Sequence, residues 1–334
     1  MATVAVIGGG AWGTALAAHA ARQGHVVNLW AREEEVVRDV NEHHENHLFL
    51  PEVSLPRSIR ASSDAAAVLT GAAVVILVPP SAFLRSVTAS IAPHLPADAR
   101  VAIATKGIEN ESLHLMLDVV AEVLPGRPLA ALSGPSFAKE VASGLPTDVV
   151  VASKDEALAA DLQTVLHSPL FRVYTSKDPI GVEVGGALKN VLAIAAGTCD
   201  GLGLGTNARA ALVTRGLSEM ARLGVALGGD PLTFMGLSGV GDLILTTTGA
   251  LSRNRALGMK VAEGVDPAVF LASQRSVAEG YLTAKAAFQL AQRHHVDVPI
   301  TEQVFHVLHE KRPLLDAMTR LLNRAQKEEL WGFT

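Results

Sequence analysis

Val4-Ala5-Val6-Ile7-Gly8-Gly9-Gly10-Ala11-Trp12-Gly13-Thr14-Ala15-Leu16-Ala17 is the stretch on which the reading of this chain turns. An apolar, β-type run breaks on glycines, and an alanine-rich helical pattern follows at once. Gly8, Gly10 and Gly13 are spaced as G-x-G-x-x-G. Such a turn is tight, lets the backbone approach a pyrophosphate, and packs the new helix closely on its strand. The N–H groups and partial positive charge at the helix start suit an anion. A strand before the glycines and a helix after them predict a dinucleotide site at the first β-α unit.

Outward from that turn, short β-branched runs alternate with helical patterns up to about residue 175. Strands are predicted at residues 4–7, 26–30, 74–78, 101–104, 129–132, 149–152 and 171–174, with helices at 14–22, 81–91, 113–123 and 155–166. This alternation predicts an α/β domain with a parallel sheet of Rossmann type. After Tyr174 no convincing strand follows, and helix-period segments run on. Ser176-Lys177-Asp178-Pro179 marks the junction, with Pro179 suited to the first turn of the next helix. The expected division is 1–178 for the Rossmann-type domain and 179–334 for an all-α C-terminal domain.

Composition narrows the function. At 334 residues there is room for two cores, and charged residues make up only 18%, which argues against disorder. A formal net charge of −5 and the lack of a basic stripe argue against a nucleic-acid partner. Cys199 is the only cysteine, so neither an intrachain disulfide nor a cysteine-rich metal site can form. The first apolar run lacks a basic leader and ends in the glycine turn. The apolar stretch at 65–80 is broken by Thr70 and Gly71, too short to span a bilayer. A soluble cytoplasmic protein without integral membrane association is expected. His43, His44 and His47 lack the H-E-x-x-H order and lie in a polar stretch, so no metal site is expected.

Candidate ligand-binding residues recur at the exits of predicted strands, where ligands gather in open α/β sheets. Arg32, after the second strand, stands where an NAD site usually has an acid; its forked donors suit a 2′-phosphate, while Glu33 keeps NAD open. It could equally be an exposed arginine opening a helix. Lys106, in Thr105-Lys106-Gly107, could meet a substrate phosphate or sit in a surface turn. Ser136, in Ser133-Gly134-Pro135-Ser136, reads as an N-cap for the next helix. Beyond the junction, Lys189 lies among apolar residues on a helix carrying Gly185 and Gly186. Helix glycines cost roughly 1 kcal/mol each against alanine, so something packs tightly there, such as a cofactor or the first domain. Lys189 is then a snorkelling lysine or a catalytic one. Asp242 falls at a turn or helix start, Ser252 reads as the N-cap that puts Arg253 and Asn254 in a first turn, and Ser276 with Glu279 resembles a capping box.

Taken in order, Gly8–Gly13 with Trp12, Thr-Lys-Gly at 105–107, Ser-Gly-Pro-Ser-Phe-Ala at 133–138, Gly-Gly-x-x-Lys-Asn at 185–190, Gly-x-Gly-Asp-Leu at 239–243, Ser-Arg-Asn at 252–254 and Val-x-Glu-Gly at 277–280 form one pattern. From end to end the chain resembles the bacterial NAD(P)-dependent glycerol-3-phosphate dehydrogenases. The resemblance implies reversible reduction of dihydroxyacetone phosphate to sn-glycerol 3-phosphate, supplying phospholipid synthesis. It also implies a homodimer whose helical domain serves substrate binding and dimerisation. By matching motif, Lys189 takes the family's proton-accepting role. Lys106, Gly134, Ser136, Lys189, Asp242, Ser252, Arg253 and Asn254 match substrate positions. Trp12, Arg32, Lys106, Ala138, Arg253, Val277 and Glu279 match cofactor positions, beside Gly8, Gly10 and Gly13. Two departures stand out. Ala11 replaces a frequent serine, keeping only its backbone N–H for the pyrophosphate, and Glu33 replaces a frequent histidine. The cofactor expectation is therefore NADP or NAD, leaning to NADPH.

Reducing a ketone needs a hydride on carbon and a proton on oxygen. Lys189 as ammonium can polarise the carbonyl and donate the proton, then accept it back as the neutral amine. Arg253 offers a fork to a phosphate, supplemented by Lys106. A ketopantoate or β-hydroxyacid type of dehydrogenase is the competing reading, but its substrate lacks the phosphate that Ser252-Arg253-Asn254 would hold. A non-catalytic NAD(P) sensor would not need Lys189 and Asp242 together.

Overall fold

The computed structural model describes residues 1–274, 278–326 and 328–329. Two compact units emerge. The first comprises Met1–Thr105 and Met116–Pro179; the second comprises Lys106–Leu115 and Ile180–Thr334.

An eight-stranded sheet organises the first unit. Its strands are β1 (Thr3–Ile7), β2 (Val26–Trp30), β3 (Ile59–Ser62), β4 (Val74–Leu77), β5 (Arg100–Ile103), β6 (Leu129–Ser133), β7 (Thr147–Ala152) and β8 (Phe171–Ser176). They lie in the order β3-β2-β1-β4-β5-β6-β7-β8. The helices are α1 (Ala11–Arg22), α2 (Glu34–Arg38), α3 (Ala65–Leu69), α4 (Leu84–Ile91), α5 (Met116–Val123), α6 (Ala138–Ala142) and α7 (Glu156–Leu166). β1 is central because both its faces are buried. Val4 and Val6 join the cluster that holds Leu16 and Ala17 of α1. Ala5 and Ile7 join the opposite cluster, with Leu84, Ile91, Val119 and Val120. Successive strand residues point to opposite faces, and helices cover both, so β1 reads as an unbroken apolar run.

The strand order reverses at β1, which pairs in parallel with β2 on one side and β4 on the other. The glycine turn leaves the C-terminal end of β1 at that switch point, where open sheets form their ligand crevice.

Two features correct the expected sheet, and one an expected helix. β3 was not foreseen: Ile59-Arg60-Ala61-Ser62 is an edge strand with one strong β-former. β7 runs antiparallel to β6, and β8 parallel to β7, so the sheet is not wholly parallel. The helix expected from residue 113 starts at Met116, because Leu113 is left-handed, at φ 64°.

The second unit is helical: α8 (Pro179–Gly201), α9 (Gly205–Ala226), α10 (Asp242–Thr248), α11 (Arg253–Ala262), α12 (Pro267–Ala272), α13 (Glu279–Arg293), α14 (Pro299–His309) and α15 (Leu314–Leu322). Pro179 opens α8 as its sequence predicts. α8 is long and apolar enough to cross a membrane, yet 83% of its most apolar window is buried inside the protein. Val184, Leu188, Val191 and Leu192 are all fully buried in it, which marks it as the axis of this unit's core. Residues 106–115 correct the single cut expected at 178/179: Ile108, Leu113 and Leu115 pack into the core built around α8.

Candidate functional site

In the first unit the glycine turn has the form a dinucleotide requires. Gly8 adopts φ +132°, and a Cβ on Gly13 would lie 1.9 Å from the Gly8 carbonyl oxygen, so α1 packs against the turn only because residue 13 has no side chain. A Cβ on Gly10 would meet nothing within 4 Å. α1 starts there without a side-chain cap, leaving its first amides to a ligand. These residues fit a bound pyrophosphate. Ala11 and Trp12 open the helix, half-buried. Arg32 is exposed and engaged by its neighbour, Nη2 donating to Glu33 Oε1 at 2.8 Å and Nε at 3.1 Å.

Gly134 takes φ +130° against Val149 after β6. The capping role expected of Ser136 is not observed. Its hydroxyl donates to the Gly134 carbonyl at 2.9 Å, and Phe137 holds the cap position of α6, which Ala138 opens. The hydroxyl turns back to stiffen the loop rather than forward to the helix.

The second unit assembles the titratable groups. Lys189, midway along α8, donates to Asp242 Oδ1 at 2.5 Å, and Lys106 donates to Asp242 Oδ2 at 2.8 Å. One fully buried carboxylate thus bridges two ammonium groups. Asp242 heads α10, and Thr246 one turn later donates to its carbonyl at 2.6 Å. Burial is the largest influence on Lys189 and lowers its pKa from 10.5 to about 7; Asp242 opposes the fall and Lys106 adds to it. A lysine so placed exchanges its proton near neutrality.

A hydrogen-bonded chain ties α8 to α11 and α13 beside this array. Asn254 donates to Asn190 Oδ1 at 2.9 Å and accepts from the Gly280 amide at 3.0 Å. Ser252 caps α11 as expected, accepting from the Arg255 amide at 3.2 Å. That leaves Arg253 at the first helical position with solvent access. The surrounding protein partly desolvates its guanidinium and lowers its pKa, while the Glu279 carboxylate raises it. Glu279 opens α13 with Ala278 at the cap position, while Val277 and Ser276 lie outside the described residues.

The tight packing inferred from Gly185 is real. A Cβ there would lie 2.3 Å from the Ser238 carbonyl oxygen, so the glycine admits the loop that delivers Asp242. Thr246 takes part in the array and Asn190 in the hydrogen-bonded chain beside it, although neither is among the site residues singled out from the sequence. Asn190 closes the Gly-Gly-x-x-Lys-Asn motif, and Thr246 stands one helical turn after Asp242.

Comparison with known proteins bears on this arrangement. The profile described as NAD-dependent glycerol-3-phosphate dehydrogenase N-terminus matches residues 3–159, and its C-terminus counterpart matches residues 178–319. The chain belongs to this family. It is similar to glycerol-3-phosphate dehydrogenase [NAD(P)+] of Geobacter sulfurreducens, 50% identical over 98% of this chain and 99% of the relative. The enzyme of the same name from Koribacter versatilis is 48% identical over 99% of this chain and 100% of the relative. The crystal structure of glycerol-3-phosphate dehydrogenase from Coxiella burnetii superimposes with a TM-score of 0.93 at 42% identity, covering 97% of this chain and 99% of that one.

Proposed function

We propose that this protein is an NAD(P)-dependent sn-glycerol-3-phosphate dehydrogenase, reversibly reducing dihydroxyacetone phosphate in the cytoplasm as a homodimer and supplying phospholipid synthesis. The observation that carries the reading is the Lys106–Asp242–Lys189 array. Lys189, with its pKa near 7, is the acid–base group: as ammonium it hydrogen-bonds the substrate ketone and gives its proton to the oxygen. Asp242 aims that ammonium and holds Lys106 beside it. When Lys189 is protonated, two cations face one carboxylate, and the surplus positive charge suits an anionic substrate. Arg253, with its fork at the start of α11, is the phosphate anchor, and Ser252 and Asn254 fix its backbone. Lys106, Gly134, Ser136, Lys189, Asp242, Ser252, Arg253 and Asn254 form the proposed substrate set. Gly8, Gly10, Ala11, Trp12, Gly13, Arg32, Lys106, Ala138, Arg253, Val277 and Glu279 form the proposed cofactor set. The nicotinamide, when bound, supplies the hydride.

The test is absorbance at the nicotinamide band with dihydroxyacetone phosphate against ketopantoate, using NADPH and then NADH. Oxidation of the cofactor with the phosphorylated ketone alone supports the reading. Turnover of ketopantoate, or of neither, overturns it.

A further inference from the structure

Asn46 lies far along the chain from the glycine turn, in the segment after α2, yet it is fully buried against that turn. Its side-chain amide is fully engaged. Nδ2 donates to the Gly9 carbonyl at 2.9 Å and to Thr14 Oγ1 at 2.8 Å, while Oδ1 accepts from the Phe49 amide at 3.1 Å. Thr14 closes the triangle by donating its hydroxyl to the same Gly9 carbonyl at 3.3 Å. The segment bearing Asn46 is itself anchored, because Leu50, Val53 and Leu55 are buried in the core under α1.

We infer that Asn46 is a positioning residue for the cofactor, setting the orientation of the peptide that presents the Gly10 N–H to the pyrophosphate. The inference rests on the dinucleotide reading above. A planar trans peptide holds its C=O and N–H in opposite directions, and there are no cis peptides among the described residues. Fixing the Gly9 carbonyl inward on Asn46 and Thr14 therefore turns the Gly10 N–H of the same peptide outward. That is the side where a Cβ on Gly10 would meet nothing within 4 Å. Glycines on both sides of this bond offer little steric resistance to its rotation. Without a tether the peptide can flip and present a carbonyl oxygen, which repels a phosphate. Asn46 supplies the tether through two donors; an aspartate of the same shape has none.

Asn46→Asp keeps the Phe49 contact and removes both donations, and Asn46→Ala removes all three. Thr14→Val leaves Asn46 in place and removes one support of the Gly9 carbonyl. For each variant, Kd for NADPH and for ADP-ribose is measured by calorimetry, with Tm and KM for dihydroxyacetone phosphate on the same preparation. Both Asn46 variants are expected to lose about tenfold in affinity for either ligand, and Thr14→Val about threefold. KM for the ketone at saturating NADPH stays unchanged. ADP-ribose loses as much as NADPH because the effect sits at the pyrophosphate. Wild-type Kd values alongside a lowered Tm would mean a purely structural role and overturn the inference. Should both Asn46 variants fail to fold, Thr14→Val decides: an unchanged Kd overturns the inference and a raised one supports it. A wild-type protein that binds neither NADPH nor ADP-ribose would instead overturn the cofactor reading itself.

Discussion

Replacing Asp242 by asparagine separates its electrostatic role from its shape. The amide can still meet Thr246, but it cannot neutralise the ammonium groups of Lys189 and Lys106 that now contact one carboxylate. Lys189 already sits near 7 because burial outweighs Asp242, and Lys106 pushes the same way as burial. Removing the one opposing charge therefore drives the lysine further towards the neutral amine. A hydrogen bond to a charged group is worth about 1.5–3 kcal/mol, and each 1.36 kcal/mol changes the ratio of the two forms tenfold. Above pH 7 the ammonium fraction should thus fall by a further factor of about ten to a hundred. The assay is kcat/KM for ketone reduction across pH 5–9. Wild type should lose activity as pH rises through about 7. Asp242→Asn should begin its loss at lower pH, with the alkaline activity down by about that factor. In the oxidation direction, where the neutral amine is the active form, the rising limb should also move to lower pH. A variant whose limbs stay at the wild-type pH would refute the link between Asp242 and the proton on Lys189.

Other consequences follow from single contacts. Arg253→Ala should lower kcat/KM for dihydroxyacetone phosphate by about ten- to a hundredfold, the value of a charge-assisted hydrogen bond, with Tm little changed; unchanged kinetics would remove Arg253 from the phosphate site. The Arg32–Glu33 pair is exposed and so worth at most about 1 kcal/mol. Glu33→Gln should therefore improve NADPH over NADH by up to about fivefold and Arg32→Ala should reverse that preference, whereas equal effects on the two cofactors would exclude a 2′-phosphate contact. Glu219 is buried, accepts from the Ile300 and Thr301 amides that begin α14, and has its pKa raised by burial from 4.5 to about 7. The folded state then holds more protons than the unfolded one between those values, so stability should fall as pH rises from 4.5 to 7, by at most about 3 kcal/mol. Lys189 acts with the opposite sign in the next window: its lowered pKa makes stability rise from about pH 7 to 10.5. Urea titrations of Glu219→Gln should lack the acid-side slope, and a slope that persists would assign it elsewhere.

The glycine turn and the central strands are legible because burial on both faces leaves a continuous apolar signal, as in Val4–Ile7. β3 is not, since an edge strand of Ile59-Arg60-Ala61-Ser62 buries only alternate residues and carries little pattern. Nor does the antiparallel turn of β7, because strand direction leaves no trace in a short apolar run. Residues 106–115 follow β5 without a break, and only packing shows that Ile108 and Leu115 belong with α8. The site divides in the same way. Ser252 could be read from capping chemistry, and Lys189 from its apolar surroundings. The partnership of Asp242 with Lys106 joins residues 136 positions apart, and that of Asn46 with Thr14 joins residues 32 apart, so no local spacing encodes either. Ser136 shows the converse: its neighbourhood suits a cap, and its hydroxyl bonds backwards instead.

Lys189→Met tests the central claim most directly. Methionine keeps most of the side-chain length and removes the exchangeable proton. A positioned general acid contributes about 10²–10⁴-fold, so turnover of dihydroxyacetone phosphate with saturating NADPH should fall by about that factor. Tm, measured on the same preparation, should not fall, because the variant leaves no uncompensated cation in the core. A folded Lys189→Met protein that reduces the ketone at the wild-type rate would contradict the assignment of Lys189 as the acid–base group.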